Sequence, residues 1–315
     1  MRRRAFVASL GALLLLPAGG RAATAFRIGV LVLGNNDPEG FLRDFRAGLG
    51  ALGYTEGQIS IEVRSAGGRE GLLAQMASDL VGSNIDLLIA WQTPPAHAAK
   101  QATSTIPIIV WAGDPVGTGL IASLSLPSGN ITGISTASAE ITGKRVGLLR
   151  EIFPTMRRIA MLANVIDPLA TLFVSQADLA TRTLGVEFQP MMVRPDQRLD
   201  GAFRELKRTG VEAVLIQGSL LQDVVDLALE HRLASVGDYR LLPAMGGLMS
   251  YAPNFAATCR ELAVLADKVL KGRKPADLPL QQPTTFDLVI NLRTAKALGL
   301  AIPDTLLARA DEVIE

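Results

Sequence analysis

From Phe26 onward, short β-branched apolar runs alternate with stretches whose apolar positions recur every three or four residues. Ile28–Leu33 reads as a strand, and Phe41, Phe45, Leu49 and Leu52 then fall on one helical face. Ile59–Val63 reads as a second strand, followed by a helix carrying Leu72, Leu73, Met76, Leu80 and Val81. Asp86–Ala90 and Pro107–Trp111 predict two more strands, with a helix over about 94–103 between them. A β-α-β-α-β order of this kind implies a parallel sheet with right-handed crossovers and helices on both faces. The pattern restarts with a strand at Ile159–Ala163 and a helix over about 168–184. Val186–Met192 and Ala213–Gln217 predict strands, each followed by a helix, over about 198–208 and 220–232. Gly247–Tyr251 predicts a short strand, and Leu262, Leu265, Ala266, Val269 and Leu270 mark a long amphipathic helix. The Pro-rich connector Lys274–Pro283 precedes a last strand over about 284–290. The expected architecture is α/β, two lobes with parallel sheets and a cleft between them.

Residues 1–25 stand apart from this pattern. Three arginines precede the apolar stretch Phe6–Leu16, which Pro17 breaks and small residues end. That is the layout of an export signal peptide, its apolar stretch too short to span a bilayer. Cleavage after Ala25 fits an A-x-A site (Ala23, Ala25), and cleavage after Ala22 fits as well. An uncleaved anchor is the competing reading. Arg3 and Arg4 suit a twin-arginine route and the general secretory route alike. No later segment approaches the ~18 uninterrupted apolar residues of a spanning helix.

The leader changes the charge picture. The 315 residues carry 31 basic and 30 acidic side chains. The leader holds four of the arginines and no acid, so the remainder is slightly acidic, with 27 basic groups against 30. A nucleic-acid binder relying on phosphate neutralisation is therefore not expected. One cysteine, Cys259, excludes an intramolecular disulfide and a Cys-rich metal site. No G-x-S-x-G elbow or H-E-x-x-H is present, and Gly143-Lys144 is followed by Arg145 rather than the Ser or Thr of a P-loop. Gly113, Gly117 and Gly119 do not match dinucleotide-loop spacing. His97 and His231 are isolated from each other along the chain. No enzyme, cofactor or metal centre is expected.

Candidate chemistry sits where strands end. Asp37-Pro38, Thr93-Pro94, Asp114-Pro115 and Asp167-Pro168 each follow a predicted strand, and Ser219 with Gln222 forms a fifth helix-start signal. Asp, Thr and Ser cap helices, and Pro suits the first helical position. In open parallel sheets these turns line the carboxyl edge where ligands bind, and free amides there would favour a carboxylate. Each turn can equally be a cap and nothing else. Trp91 and Trp111, the only tryptophans, end consecutive predicted strands, and Tyr251 ends a later one. They are candidates for an aromatic wall. Packing beneath a loop is the alternative.

Several segments resemble the substrate-binding proteins of ABC transporters, in the tryptophan/tyrosine-type branch. They are Gly113-Asp114-Pro115-Val116, Asn130–Gly133, Gly246–Tyr251, Leu270–Pro279, Gln282–Leu300 and Leu306–Glu315. The resemblance implies the type I periplasmic binding-protein fold, two Rossmann-like lobes joined by crossovers. It divides the chain into a lobe of 26–134 plus 252–278 and a lobe of 135–251 plus 279–315. It also implies a periplasmic location, a small-molecule ligand and an inner-membrane ABC permease as partner. A periplasmic ligand sensor serving a membrane receptor is the alternative. The resemblance implies Asn36, Asp37, Thr93, Asp114, Asn164, Gln217, Ser219 and Tyr251 as ligand residues, and the strand-end reading adds Trp91 and Trp111. On this reading helix N-termini hold a ligand carboxylate, Asp37 or Asp114 an amine, and the aromatics an apolar body. The ligand is then amino-acid-like or an aromatic acid. Trp91 and Trp111 depart from the small or aliphatic residues usual before those turns, as does Gln217-Gly218-Ser219 from an acidic strand end.

Overall fold

The computed structural model describes residues 25–34, 37–127, 129–194, 197–220 and 224–315. All of the predicted leader but Ala25 lies outside the described residues, as do Asn35, Asn36 and Gln222. The first half follows the predicted order: β1 (Phe26–Val32), α1 (Pro38–Ala51), β2 (Ile59–Ser65), α2 (Leu73–Gly82), β3 (Leu87–Trp91), α3 (Thr93–Ala102) and β4 (Ile108–Ala112). β5 (Ile131–Ser135), not anticipated as a strand, completes a five-stranded sheet. Its order is β2-β1-β3-β4-β5, with every pair parallel. All five residues of β3 and of β4 are buried. Helices cover both faces of a parallel sheet, so its central strands carry continuous apolar runs.

The second half opens with α4 (Thr142–Ile152), which the sequence reading also missed. Then come β6 (Arg158–Asn164), α5 (Ala170–Thr183), β7 (Glu187–Val193), α6 (Asp200–Arg208) and β8 (Ala213–Ile216). They are followed by α7 (Val225–Glu230), β9 (Ala234–Gly237), α8 (Leu241–Ala244), β10 (Met249–Pro253) and α9 (Phe255–Leu270). β11 (Phe286–Asn291), α10 (Leu292–Leu298), α11 (Asp304–Leu307) and β12 (Glu312–Ile314) finish the chain. The seven strands of the second sheet run β12-β11-β10-β9-β8-β6-β7. Only the β10–β11 pair is antiparallel, a departure from the all-parallel expectation.

The chain passes between the two sheets three times. It leaves the first after β5 and returns after β10, because α9 packs on the first sheet. Phe255, Cys259, Leu262 and Leu265 of α9 share one core with Phe41, Phe45, Trp91 and Trp111. Burial there pushes the Cys259 thiol up to about 12, so it stays protonated and unreactive. The predicted connector Lys274–Pro283 is more than a linker. The Thr132 hydroxyl donates to the Leu278 carbonyl at 2.7 Å. Gln281 N–H donates to Gly133 O, and Ser135 N–H donates to Gln281 O, so the segment pairs along the β5 edge before crossing back. Among the described residues, no helix is long and apolar enough to cross a membrane.

Candidate functional site

The carboxyl ends of both sheets face a common cavity of about 100 Å³. The first sheet contributes Trp91, Gln92, Thr93, Trp111 and Gly113. The second contributes Asp167, Gln217, Ser219, Asp238 and Tyr239. Phe255 at the start of α9 and Ser138 from the first crossover complete the wall.

β3 and β4 are parallel neighbours in register, so Trp91 and Trp111 point to the same side. Their indoles stack, with centroids 4.6 Å apart and planes within 3°. Phe255 leans on both, at 5.7 and 5.5 Å, and Phe41 backs Trp91 at 5.5 Å. The two tryptophans therefore do both jobs read from sequence: they pack in the core and line the cavity. Thr93 is the first residue of α3 rather than its cap, and its Oγ1 accepts from Gly113 N–H at 3.3 Å. The cap position belongs to Gln92, held at φ 83°, a strained region for a residue with a side chain. Its Oε1 is buried without a hydrogen-bond partner.

The other predicted turns take different roles. Asp37 caps α1, accepting from Gly40 N–H at 2.9 Å, and does not line the cavity. Asp114 starts no helix; its Oδ1 accepts from Gly117 N–H at 2.8 Å within a turn outside the cavity. Asp167 accepts from Leu169 N–H at 2.9 Å, and α5 begins only at Ala170. These amides are already bonded to the protein's own carboxylates, which removes them as a cradle for a ligand carboxylate. Asn164 lies behind the wall: its N–H donates to Gln217 Oε1 at 2.9 Å and its Oδ1 accepts from Ile166 N–H. Tyr251 stacks on Phe286, centroids 5.6 Å apart, instead of lining the cavity. β10 runs on to Pro253, so Tyr251 is mid-strand and Ala252 and Pro253 reach the wall.

Asp167, Asp238, Tyr239 and Arg145 were not selected as site residues. Asp167 is 7% exposed and accepts from Gln217 Nε2 at 2.8 Å. Burial pushes its carboxyl up to about 6; Asp238 and Glu70 add repulsion, and the Leu169 amide and Ser219 hydroxyl pull back. Burial also raises Asp238, against the pull of the nearby Arg145 charge. Arg145 on α4 is itself buried, which pushes it down to about 10 and leaves it charged at neutral pH. It donates to the carbonyls of Ser138 (2.6 Å) and Tyr251 (2.8 Å). Tyr239 packs against the apolar cores of both sheets. Asp238 Oδ1 and Tyr239 Oη, like Gln92 Oε1, are buried with no partner.

The Asp167 shift gives a pH dependence of stability. Its folded pKa lies above the ordinary 3.8, so the ionised form is disfavoured by folding. The associated stability is fully present below about 4 and is lost as pH rises through about 6. A two-unit shift sets an upper scale of ~3 kcal/mol. Ligand-free protein should therefore lose melting temperature between pH 4.5 and 6.5, and Asp167→Asn should flatten that slope. An unchanged slope in the variant refutes the assignment.

Two α/β lobes meeting over a common cavity with aromatic and acidic walls define the type I periplasmic binding-protein fold. The chain belongs to the ABC transporter substrate-binding protein family, whose family model matches residues 40–314. This is a family of solute-binding proteins rather than enzymes, typically extracytoplasmic. The chain is 26% identical over 256 residues to a tyrosine-binding protein of Clostridioides difficile, covering 79% of this chain and 73% of that one. It is similar to an ABC domain from Streptococcus pneumoniae solved in complex with L-Trp. That match has TM-score 0.85 and 25% identity over 92% of this chain and 100% of the other. A conserved domain protein of Vibrio cholerae matches with TM-score 0.83 and 26% identity, over 92% and 99% of the two chains.

Proposed function

We propose that this protein is the periplasmic capture subunit of an ABC importer, which closes on a small amino-acid-like or aromatic solute and presents it to a membrane permease. The observation that carries the reading is the set of four buried, unpartnered polar atoms, Gln92 Oε1, Ser219 Oγ, Asp238 Oδ1 and Tyr239 Oη, at one cavity. Buried polar groups are nearly always satisfied, so a ligand or trapped water has a defined place there. Amino-acid binding by the C. difficile and S. pneumoniae proteins supports the solute class.

Segments 26–134 plus 252–278 and 135–251 plus 279–315 act as the two moving bodies. The ligand favours the closed arrangement by touching both, so its differential affinity supplies the closing free energy. Gly113 sits at the meeting line: a β-carbon there would overlap Leu169 Cδ1 from the other body. Gly113→Val should hold the lobes apart. Ligand affinity then falls by roughly 100-fold, because only a small closed population remains, while the melting temperature without ligand stays near wild type.

The direct test is a thermal-shift screen of the mature protein against amino acids, aromatic acids, sugars and purines. A ligand at 100 times its Kd adds about 2.7 kcal/mol of stability. A folded protein that shifts with none of these solutes contradicts the reading.

A further inference from the structure

We propose that the group recognised in this cleft is an organic cation, seated between the Asp167 carboxylate and the aromatic faces of the same cavity. The inference deepens the proposed solute-capture role and rests on it. Buried, unpartnered polar atoms line the cavity: Gln92 Oε1 and Asp238 Oδ1 accept, and the Ser219 and Tyr239 hydroxyls can accept as well as donate. Asp167 is nine-tenths buried and lines the cavity, yet its partners are the Leu169 amide and the Gln217 side-chain amide, both neutral. A buried carboxylate without a counter-ion is costly unless something supplies the opposite charge.

The charged groups around it leave that role open. Glu70, on the first lobe, and Asp238 both repel the Asp167 charge. Arg145 balances Asp238 from outside the cavity lining: its Nε and Nη1 donate to carbonyls, and its Nη2 is buried without a partner. Arg240 lines the cavity but pairs with Glu312 at 3.5 Å. Among the described residues, no basic side chain makes an ion pair with Asp167. The aromatic wall completes the argument. Aromatic rings attract a cation, and Trp91, Trp111, Tyr239 and Phe255 line the same cavity as Asp167. An anionic ligand would meet the opposite: acids in the cavity, and helix-start amides already held by Asp37 and Asp167.

Matched probes separate charge from shape. Calorimetric titration of the mature protein should compare tyramine with 4-hydroxyphenylpropionate, and choline with its neutral isostere 3,3-dimethylbutanol. The cationic member of at least one pair should bind at least tenfold more tightly. Its affinity should fall roughly tenfold from pH 7 to pH 5, as a carboxyl titrating at about 6 is protonated. Asp167→Asn should weaken the cation by about 100-fold and abolish that pH dependence. A folded baseline is confirmed by a wild-type melting temperature at pH 5, where the native carboxyl is itself neutral. Tighter binding of the uncharged or anionic member overturns the cation assignment and leaves solute capture standing. So does a cation whose affinity ignores both pH and Asp167→Asn. Absence of binding by these probes and by every amino acid overturns both.

Discussion

Arg145→Ala should destabilise the folded protein by about 3–5 kcal/mol, as expected when one partner of a buried, hydrogen-bonded charge arrangement is removed. Arg145 is 2% exposed, and its guanidinium joins segments far apart in sequence. Nη1 holds the Ser138 carbonyl on the first crossover, and Nε holds the Tyr251 carbonyl just before the second. Truncation removes the guanidinium donors from both carbonyls and the charge that offsets Asp238. Urea unfolding followed by tryptophan fluorescence gives the change in midpoint at constant slope. Arg145→Lys keeps the charge but not the planar fork, and should recover only part of the loss. Adding Asp238→Asn to Arg145→Ala should restore stability, because the orphaned carboxylate is then gone; additive losses would show that the two groups are not coupled. A loss below 1 kcal/mol for Arg145→Ala would show that the crossovers do not depend on this residue.

Arg145 also shows where sequence reading stopped. The strands of the first sheet were legible because β3 and β4 are continuous apolar runs with helices between them. The βαβ order put Trp91 and Trp111 at the ends of consecutive predicted strands, and the sheet makes those strands neighbours. α4 escaped because its buried face includes Thr142 and Arg145, which blur the apolar periodicity. β5 was hidden by Thr132 and Gly133, and β9 by its four small residues, Ala234–Gly237. The strand holding Tyr251 was found, but it extends two residues past the predicted end. Alternation along a strand makes such a shift decisive for which side chain reaches the cleft. Asp167 carried a visible signal, its Asp-Pro turn. Nothing local distinguished it from Asp37 or Asp114; only the meeting of the two sheets' carboxyl ends makes Asp167 a cavity wall, while Asp37 caps a helix and Asp114 closes a turn. Asp238 and Tyr239 follow β9, so missing that strand meant missing them.

Trp111→Ala tests the other half of the cavity and should cost about 3–5 kcal/mol, the usual range for truncating a buried large aromatic. The indole is 7% exposed and touches Trp91 and Phe255. Lost stacking adds ~0.5–1.5 kcal/mol to the lost burial. Affinity measurements on this variant alone would confuse a weakened site with a weakened fold, so a rescue experiment is needed. The truncation opens an apolar space shaped like the missing ring against the face of Trp91. Apolar cavities of this kind stay dry and take up a ring of matching shape. Free indole should therefore raise the melting temperature of Trp111→Ala and leave wild type unchanged. L-tryptophan should gain affinity for the variant relative to wild type, because its side chain enters space that the native protein fills with its own indole. If indole fails to stabilise the variant, the region has collapsed and Trp111 is a core residue without a role in setting ligand size. If indole rescues but L-tryptophan gains nothing, the vacated space is not continuous with the ligand cavity. Rescue by both would show that the paired tryptophans set the size of the ligand this cleft accepts.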